Sequence, residues 1–149
     1  MSKVIKCENY SWKGIERKDY KTDTTCYQGV HRFSLLGEQN DEQELNFQTR
    51  YFEVKKGGFT SLEYHRHPHS VVIIKGSGSM VLGDEVYKLG LHDVVFISPE
   101  TLHQFHADNG ESLGFICIVD RYRDKPTLPD REYLSKNISN PEVKEKIKQ

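Results

Sequence analysis

Residues 64–83 read YHRHPHSVVIIKGSGSMVLG, and they restrict the fold more than any other stretch. The run from Val71 to Lys75 is short, β-branched and apolar on both faces, as in a strand covered on both sides. Gly76-Ser77-Gly78 turns the chain back. Residues 79–83 and 85–89 then straddle a Gly83-Asp84 hairpin turn. Just ahead of this meander stand His65, His67 and His69, spaced by two. Alternate residues of an extended strand share a face, so the three imidazoles start on one side.

The same grammar extends in both directions. Residues 29–37 and 45–54 are rich in aromatic and β-branched side chains and predict strands. Lys55-Lys56-Gly57-Gly58 predicts a turn, and residues 60–67, 93–97, 102–107 and 113–119 predict further strands. Residues 108–111 form the turn between the last two. Many short strands separated by glycine turns indicate an all-β sandwich or barrel. With 149 residues the chain fits one domain, 1–149: an arm over 1–27, a core over about 28–120 and a tail over 121–149. The tail carries charge and two prolines, Pro126 and Pro129, before a helix over 131–137 capped by Asp130. A second helix follows an Asn140 cap with Pro141 in its first turn. The tail is expected to be peripheral or frayed.

Composition removes several function classes. A net charge of -1 provides no electrostatic footprint for nucleic acid or an anionic membrane. Cys7, Cys26 and Cys117 are scattered and odd in number, so they make neither a disulfide framework nor a CxxC zinc pattern. The N-terminus lacks the apolar segment of a signal peptide, and no run reaches transmembrane length, so a cytoplasmic location is expected.

Imidazole is the commonest protein ligand for transition metals, and His103 adds a fourth candidate to His65, His67 and His69. A straight strand would separate His65 from His69 by about 13 Å, too far for one ion. Pro68 cannot donate to a sheet ladder, and a bend there would fold His69 back; otherwise His69 is a loop residue. Glu63 shares the phase of His65 and His67. It is either a group that orders a ligand ring or acts as a general base, or an ordinary strand-end carboxylate. Phe105 shares the phase of His103 and is expected to wall the pocket. Gln104 and His106 have the opposite phase, and His31, His92 and Asp93 suit strand or turn positions.

These residues resemble the cupin superfamily over about 50–120. His65-x-His67 before an apolar strand and a glycine turn is similar to the first cupin motif. The run from Asp93 to His103 is similar to the second. Counted from Gly76, His69 falls at the family's glutamate; counted from the histidines, that position is Val71 or Val72. In the second motif the proline falls at Ser98 beside Pro99, the inner glycine at Glu100 and the asparagine at Ala107. The resemblance implies a double-stranded β-helix (jelly-roll) barrel and one divalent transition metal, Fe, Mn, Ni, Zn or Cu, held by His65, His67, His69 and His103. It further implies oxygenase, decarboxylase or isomerase chemistry on a small molecule, and a homodimer. Replacing the family carboxylate by His69 leaves a divalent ion near +2 rather than +1, which favours an anionic ligand. A non-catalytic ligand-binding or sensing barrel is the alternative.

Overall fold

The computed structural model describes residues 2–149. Among the described residues eleven β-strands precede two short α-helices, and every strand pair is antiparallel. After the short pair β1 (Cys7–Glu8) and β2 (Ser11–Trp12) come β3 (Arg17–Asp19), β4 (Gln28–Leu36) and the long β5 (Phe47–Phe59). Then follow β6 (His69–Lys75), β7 (Gly78–Leu82), β8 (Glu85–Leu89), β9 (Val94–Ile97), β10 (His103–His106) and β11 (Leu113–Asp120). The sheet path runs β8-β7-β10-β5-β11-β6-β9, with β4 also on β5 and β3 on β4. The all-β barrel expected from the strand and turn pattern is the fold observed.

Strand parity decides what faces inward. Register places Phe52 beside Phe115 and Val54 beside Leu113, and Phe115 pairs in turn with Ile73. With Val30, Met80 and Phe105 these residues form the central core. Neighbours on β5 point the other way: Tyr51 is fully buried under the arm, its ring 4.8 Å from Trp12 and 5.8 Å from Tyr10. The aromatic arm therefore closes over the outer face of β4 and β5 of its own chain.

Three local expectations require correction. Residues 55–58 do not form a turn but stay within β5. Gly57, at φ +77°, bends the strand, and Gly58 has no room for a Cβ beside the Gln28 carbonyl. Beyond the bend β5 gains β10 as a partner at Phe59. Residues 60–67 do not form a strand; Glu63 and Tyr64 make single bridges to His103 and Thr127. The chain leaves the sheet there because Pro68 cannot extend a ladder and the Asp124 carboxylate accepts from the Arg66 and His67 backbone amides, at 2.9 and 3.1 Å. The tail, finally, is docked rather than frayed. Val143 and Ile138 are buried against Val81, Leu62 and Leu102. Asp84 accepts from the Ser139 and Asn140 amides, and Gln104 both donates to and accepts from the backbone of Lys148. Helices α1 (Arg131–Asn137) and α2 (Pro141–Lys146) carry the expected Asp130 and Asn140 caps.

Candidate metal centre

Two segments bring the histidines together. The turned segment ahead of Pro68 supplies His65 and His67, and the first residue of β6 supplies His69. The first residue of β10 supplies His103. Because the chain bends at Pro68, the rings stack instead of spreading along a strand. His65 lies 3.6 Å from His67 and 4.5 Å from His69, centroid to centroid, and His103 meets His65 edge-on at 4.8 Å. All four side chains are buried. Nitrogens of His65, His69 and His103 lie within 4.8 Å of one another; His67 stands just outside that group, stacked on His65.

The hydrogen bonds fix the tautomers. His65 Nδ1 donates to the His67 carbonyl and His103 Nδ1 to the Thr101 carbonyl, both at 2.8 Å. His67 Nδ1 donates to Asp124 Oδ1, also at 2.8 Å. A carbonyl or carboxylate oxygen can only accept, so Nδ1 carries the proton and Nε2 keeps its lone pair. His69 Nδ1 lies 3.4 Å from Cys117 Sγ, a contact in which either the ring N–H or the thiol S–H can donate. The Nε2 atoms of His65 and His69 are buried and have no hydrogen-bond partner. Buried polar atoms without partners are rare; a cluster of imidazoles, three of them with Nδ1 held by an oxygen and Nε2 left with its lone pair, is a donor set a transition metal takes.

Electrostatics keep the cluster neutral. Burial is the largest influence on each of the four rings and pushes each down; His103 is lowered to about 4 although Glu63 pulls the other way. His69 is driven well below the ordinary range by burial, then by His103 and Arg50. Neutral imidazole is the form that ligates.

Parity grouped Glu63 with His65 and His67, but its segment is not a strand; Glu63 makes a single bridge to His103 and lines a cavity with His69 and His103. Its Oε2 accepts from Lys21 Nζ and Ser61 Oγ, each at 2.5 Å, and Tyr20 Oη lies 2.8 Å from Ser61 Oγ. Its Oε1 lies 4.0 Å from His103 Nε2. Burial pushes this carboxyl up, but Lys21, His103 and Ser61 together hold it below its ordinary value. Phe105 stacks on Phe115 at 4.3 Å and lines a cavity of about 440 Å³ that His69, His103 and Glu63 also face. Gln104 and His106 point elsewhere, toward the tail and Phe59.

Sequence reasoning missed Asp124, Cys117 and the cavity's cations. Parity offered a signal for two of them: Arg50 shares the inward phase of Phe52 and Val54, and Cys117 that of Phe115 and Leu113. Asp124 carried none, since it lies in a loop some 57 residues from His67 in sequence.

The comparisons agree with this architecture. Residues 50–119 match the family model described as "Cupin domain". The chain is 40% identical over 127 residues, 85% of its length and 79% of the relative's, to 1-methylthio-D-xylulose 5-phosphate methylsulfurylase of Rhodospirillum rubrum. It is similar to the crystal structure of a cupin 2 conserved barrel domain protein from Rhodopseudomonas palustris, at 34% identity and a TM-score of 0.88. That match covers 99% of this chain and all of the other. A cupin 2 domain-containing protein from Halorhodospira halophila matches at 37% identity and a TM-score of 0.78, covering 99% and 96%. The motifs, the barrel and the 40% identical relative lead to one conclusion: this chain belongs to the cupin superfamily.

Proposed function

We propose that this cupin is a metal-dependent enzyme acting on a small anionic hydroxy-carbonyl compound. His65, His69 and His103 hold one divalent transition ion and His67 completes the set. The observation that carries the reading is the pair of buried, partnerless Nε2 atoms on His65 and His69, in a cluster whose His69 and His103 line a cavity that also presents Glu63. A divalent ion held there supplies Lewis-acid polarisation of a substrate oxygen. Residues of the chain supply the remainder. Glu63 keeps one oxygen saturated by Lys21 and Ser61 and turns the other toward His103, placing a charged base beside the bound molecule. Phe52, Phe105 and Phe115 exclude water from one side of the cavity. Glu63 facing the cavity beside His103, together with a 40% identical relative named as an enzyme, favours catalysis over the ligand-sensing alternative.

The 40% identical relative, named for a methylthio-substituted ketose phosphate, supplies the first candidate substrate. Such a molecule is an anionic hydroxy-ketone, of a size suited to the cavity. The test is incubation of the metal-loaded protein with 1-methylthio-D-xylulose 5-phosphate and a small thiol, following substrate loss and the fate of the methylthio group. Turnover that is abolished in Glu63→Gln, with metal retained, supports the reading. No turnover of this compound or of a panel of hydroxy-ketone phosphates, in protein of proven metal content, would sink it.

A homodimer belongs to the same proposal. The arm is committed to its own chain, but the outer face of the sheet presents Ile118, Phe96 and Val94 across adjoining strands. Ile118 pairs with Ser70, and Ser70 with Phe96. Phe96 and Val94 are 67% and 71% exposed, and an apolar row of this kind suits a second copy. Among the described residues no helix is long and apolar enough to cross a membrane.

A further inference from the structure

The cavity has a second chemical pole that the metal reading does not use. Arg32 on β4, Arg50 on β5 and Arg123 in the loop after β11 all line it. The first two are joined through the sheet: Arg32 pairs with Phe52, Ser34 with Arg50, and Arg50 with Cys117. Arg50 is only 8% exposed, and the Nε atoms of both Arg32 and Arg50 are buried without a partner. Among the described residues none of the three makes an ion pair. Arg50 reaches only Cys117 Sγ, at 3.5 Å, and the face of Phe52. Arg123 is held by neutral oxygens, Gln48 Oε1 at 2.8 Å and the Asp120 carbonyl at 3.1 Å. The nearby acids are engaged elsewhere: Glu38 with Lys18, Glu63 with Lys21, and Asp23, which also lines the cavity, with the Thr25 amide. Arg123 is pushed down to about 10, by burial and then by the charges of Arg50 and Arg32.

Like charges gathered in a partly buried pocket, with buried donors unmet, are costly unless an anion joins them. We infer that Arg32, Arg50 and Arg123 form a phosphate-monoester subsite, which receives one end of a small molecule whose other end faces the histidine cluster. A phosphate dianion suits this set better than a carboxylate, because its three terminal oxygens meet three planar guanidinium forks. The two poles adjoin: Cys117 Sγ lies 3.4 Å from His69 Nδ1 on one side and 3.5 Å from Arg50 Nη2 on the other. One ligand in a cavity of about 440 Å³ therefore spans both. The assignment rests on the reading of this cavity as the substrate site, and it names the residues that select a phosphorylated substrate.

The experiment is calorimetric titration of metal-loaded protein with D-xylulose 5-phosphate, D-xylulose and inorganic phosphate, for wild type, Arg32→Gln and Arg123→Gln. The wild type should bind the phosphate ester at least a hundred-fold more tightly than the free sugar, with inorganic phosphate competing. Each variant should lose ten-fold or more for the ester while keeping metal content and its weak affinity for the free sugar. Equal wild-type affinities for ester and sugar overturn the subsite, whether or not the variants fold. So do folded variants that bind the ester like wild type. Arginine-dependent ester binding without turnover of the methylthio ketose phosphate leaves the subsite standing and the proposed reaction wrong. Turnover with KM unchanged in both variants does the reverse.

Discussion

Asp124 is the residue whose removal tests how the cluster is held. One carboxylate accepts three hydrogen bonds: from His67 Nδ1 at 2.8 Å, the His67 amide at 3.1 Å and the Arg66 amide at 2.9 Å. These bonds hold the Asp124 carboxyl far below the usual carboxylate range, so the anchor survives mild acid. Hydrogen bonds to a charged group contribute about 1.5–3 kcal/mol each, but Arg66 is exposed and its amide can turn to water. The buried His67 imidazole has less recourse, and loss of a group that orients a metal-binding histidine typically costs about 10–100-fold in affinity. Asp124→Ala is therefore expected to weaken metal binding about 10–100-fold, or about 1.4–2.7 kcal/mol. Asp124→Asn, which keeps an acceptor for Nδ1, should fall between. Chelator competition measures the affinities, and a cycle with His67→Ala shows whether the effect travels through His67. In the His67→Ala background, Asp124→Ala should cost less than about three-fold, since the group it orients is already gone. Unchanged affinity in Asp124→Ala, or an equal cost in both backgrounds, would refute this account of the cluster.

Other outcomes follow from the same structure. His106, buried and lowered to about 4 by burial and Lys146, takes up a proton on unfolding, where its value returns to about 6.5. Its contribution is complete above about pH 6.5 and is lost as pH falls toward 4, up to about 3 kcal/mol; urea unfolding of wild type and His106→Gln at pH 7 and pH 4 should show that difference narrowing in acid. His69→Glu should keep the metal yet lower its charge by one, weakening a carboxylate or phosphate ligand ten-fold or more by titration calorimetry, while equal affinities would show that His69 is not a ligand. Asp84→Ala removes the acceptor for the Ser139 and Asn140 amides and should release the tail, seen as faster hydrogen exchange in residues 139–149 with little change in the barrel. Phe96→Glu should convert a dimer to a monomer by light scattering; a wild-type monomer at micromolar concentration would remove that proposal.

The barrel was legible in the sequence because many short β-branched and aromatic runs are separated by glycine turns. β8 was readable to the residue, as were the caps Asp130 and Asn140, since local chemistry alone sets them. Where local rules failed, a distant partner had intervened. Gly57 and Gly58 look like a turn, yet they bend one long strand so that it gains β10 as a partner. Parity put His65 and His67 on one face of a strand, but the segment is not a strand, and Pro68 with Asp124 turns it so that the two rings stack. The tail's docking depends on Asp84 and Gln104, whose acceptors and donors lie about 44 to 56 residues away. Arg50 and Cys117 were visible as inward-facing polar positions in apolar strands, but their meeting depends on the pairing of β5 with β11.

The most direct test of the metal centre is elemental analysis of the protein, purified untagged and without chelator, beside the double variant His65→Ala/His103→Ala. Wild type should carry close to one divalent transition ion per chain, and the double variant should carry none while keeping the β-rich circular dichroism of the barrel. A metal-free wild type that takes up no transition ion on titration, or a fully loaded double variant, would contradict the account.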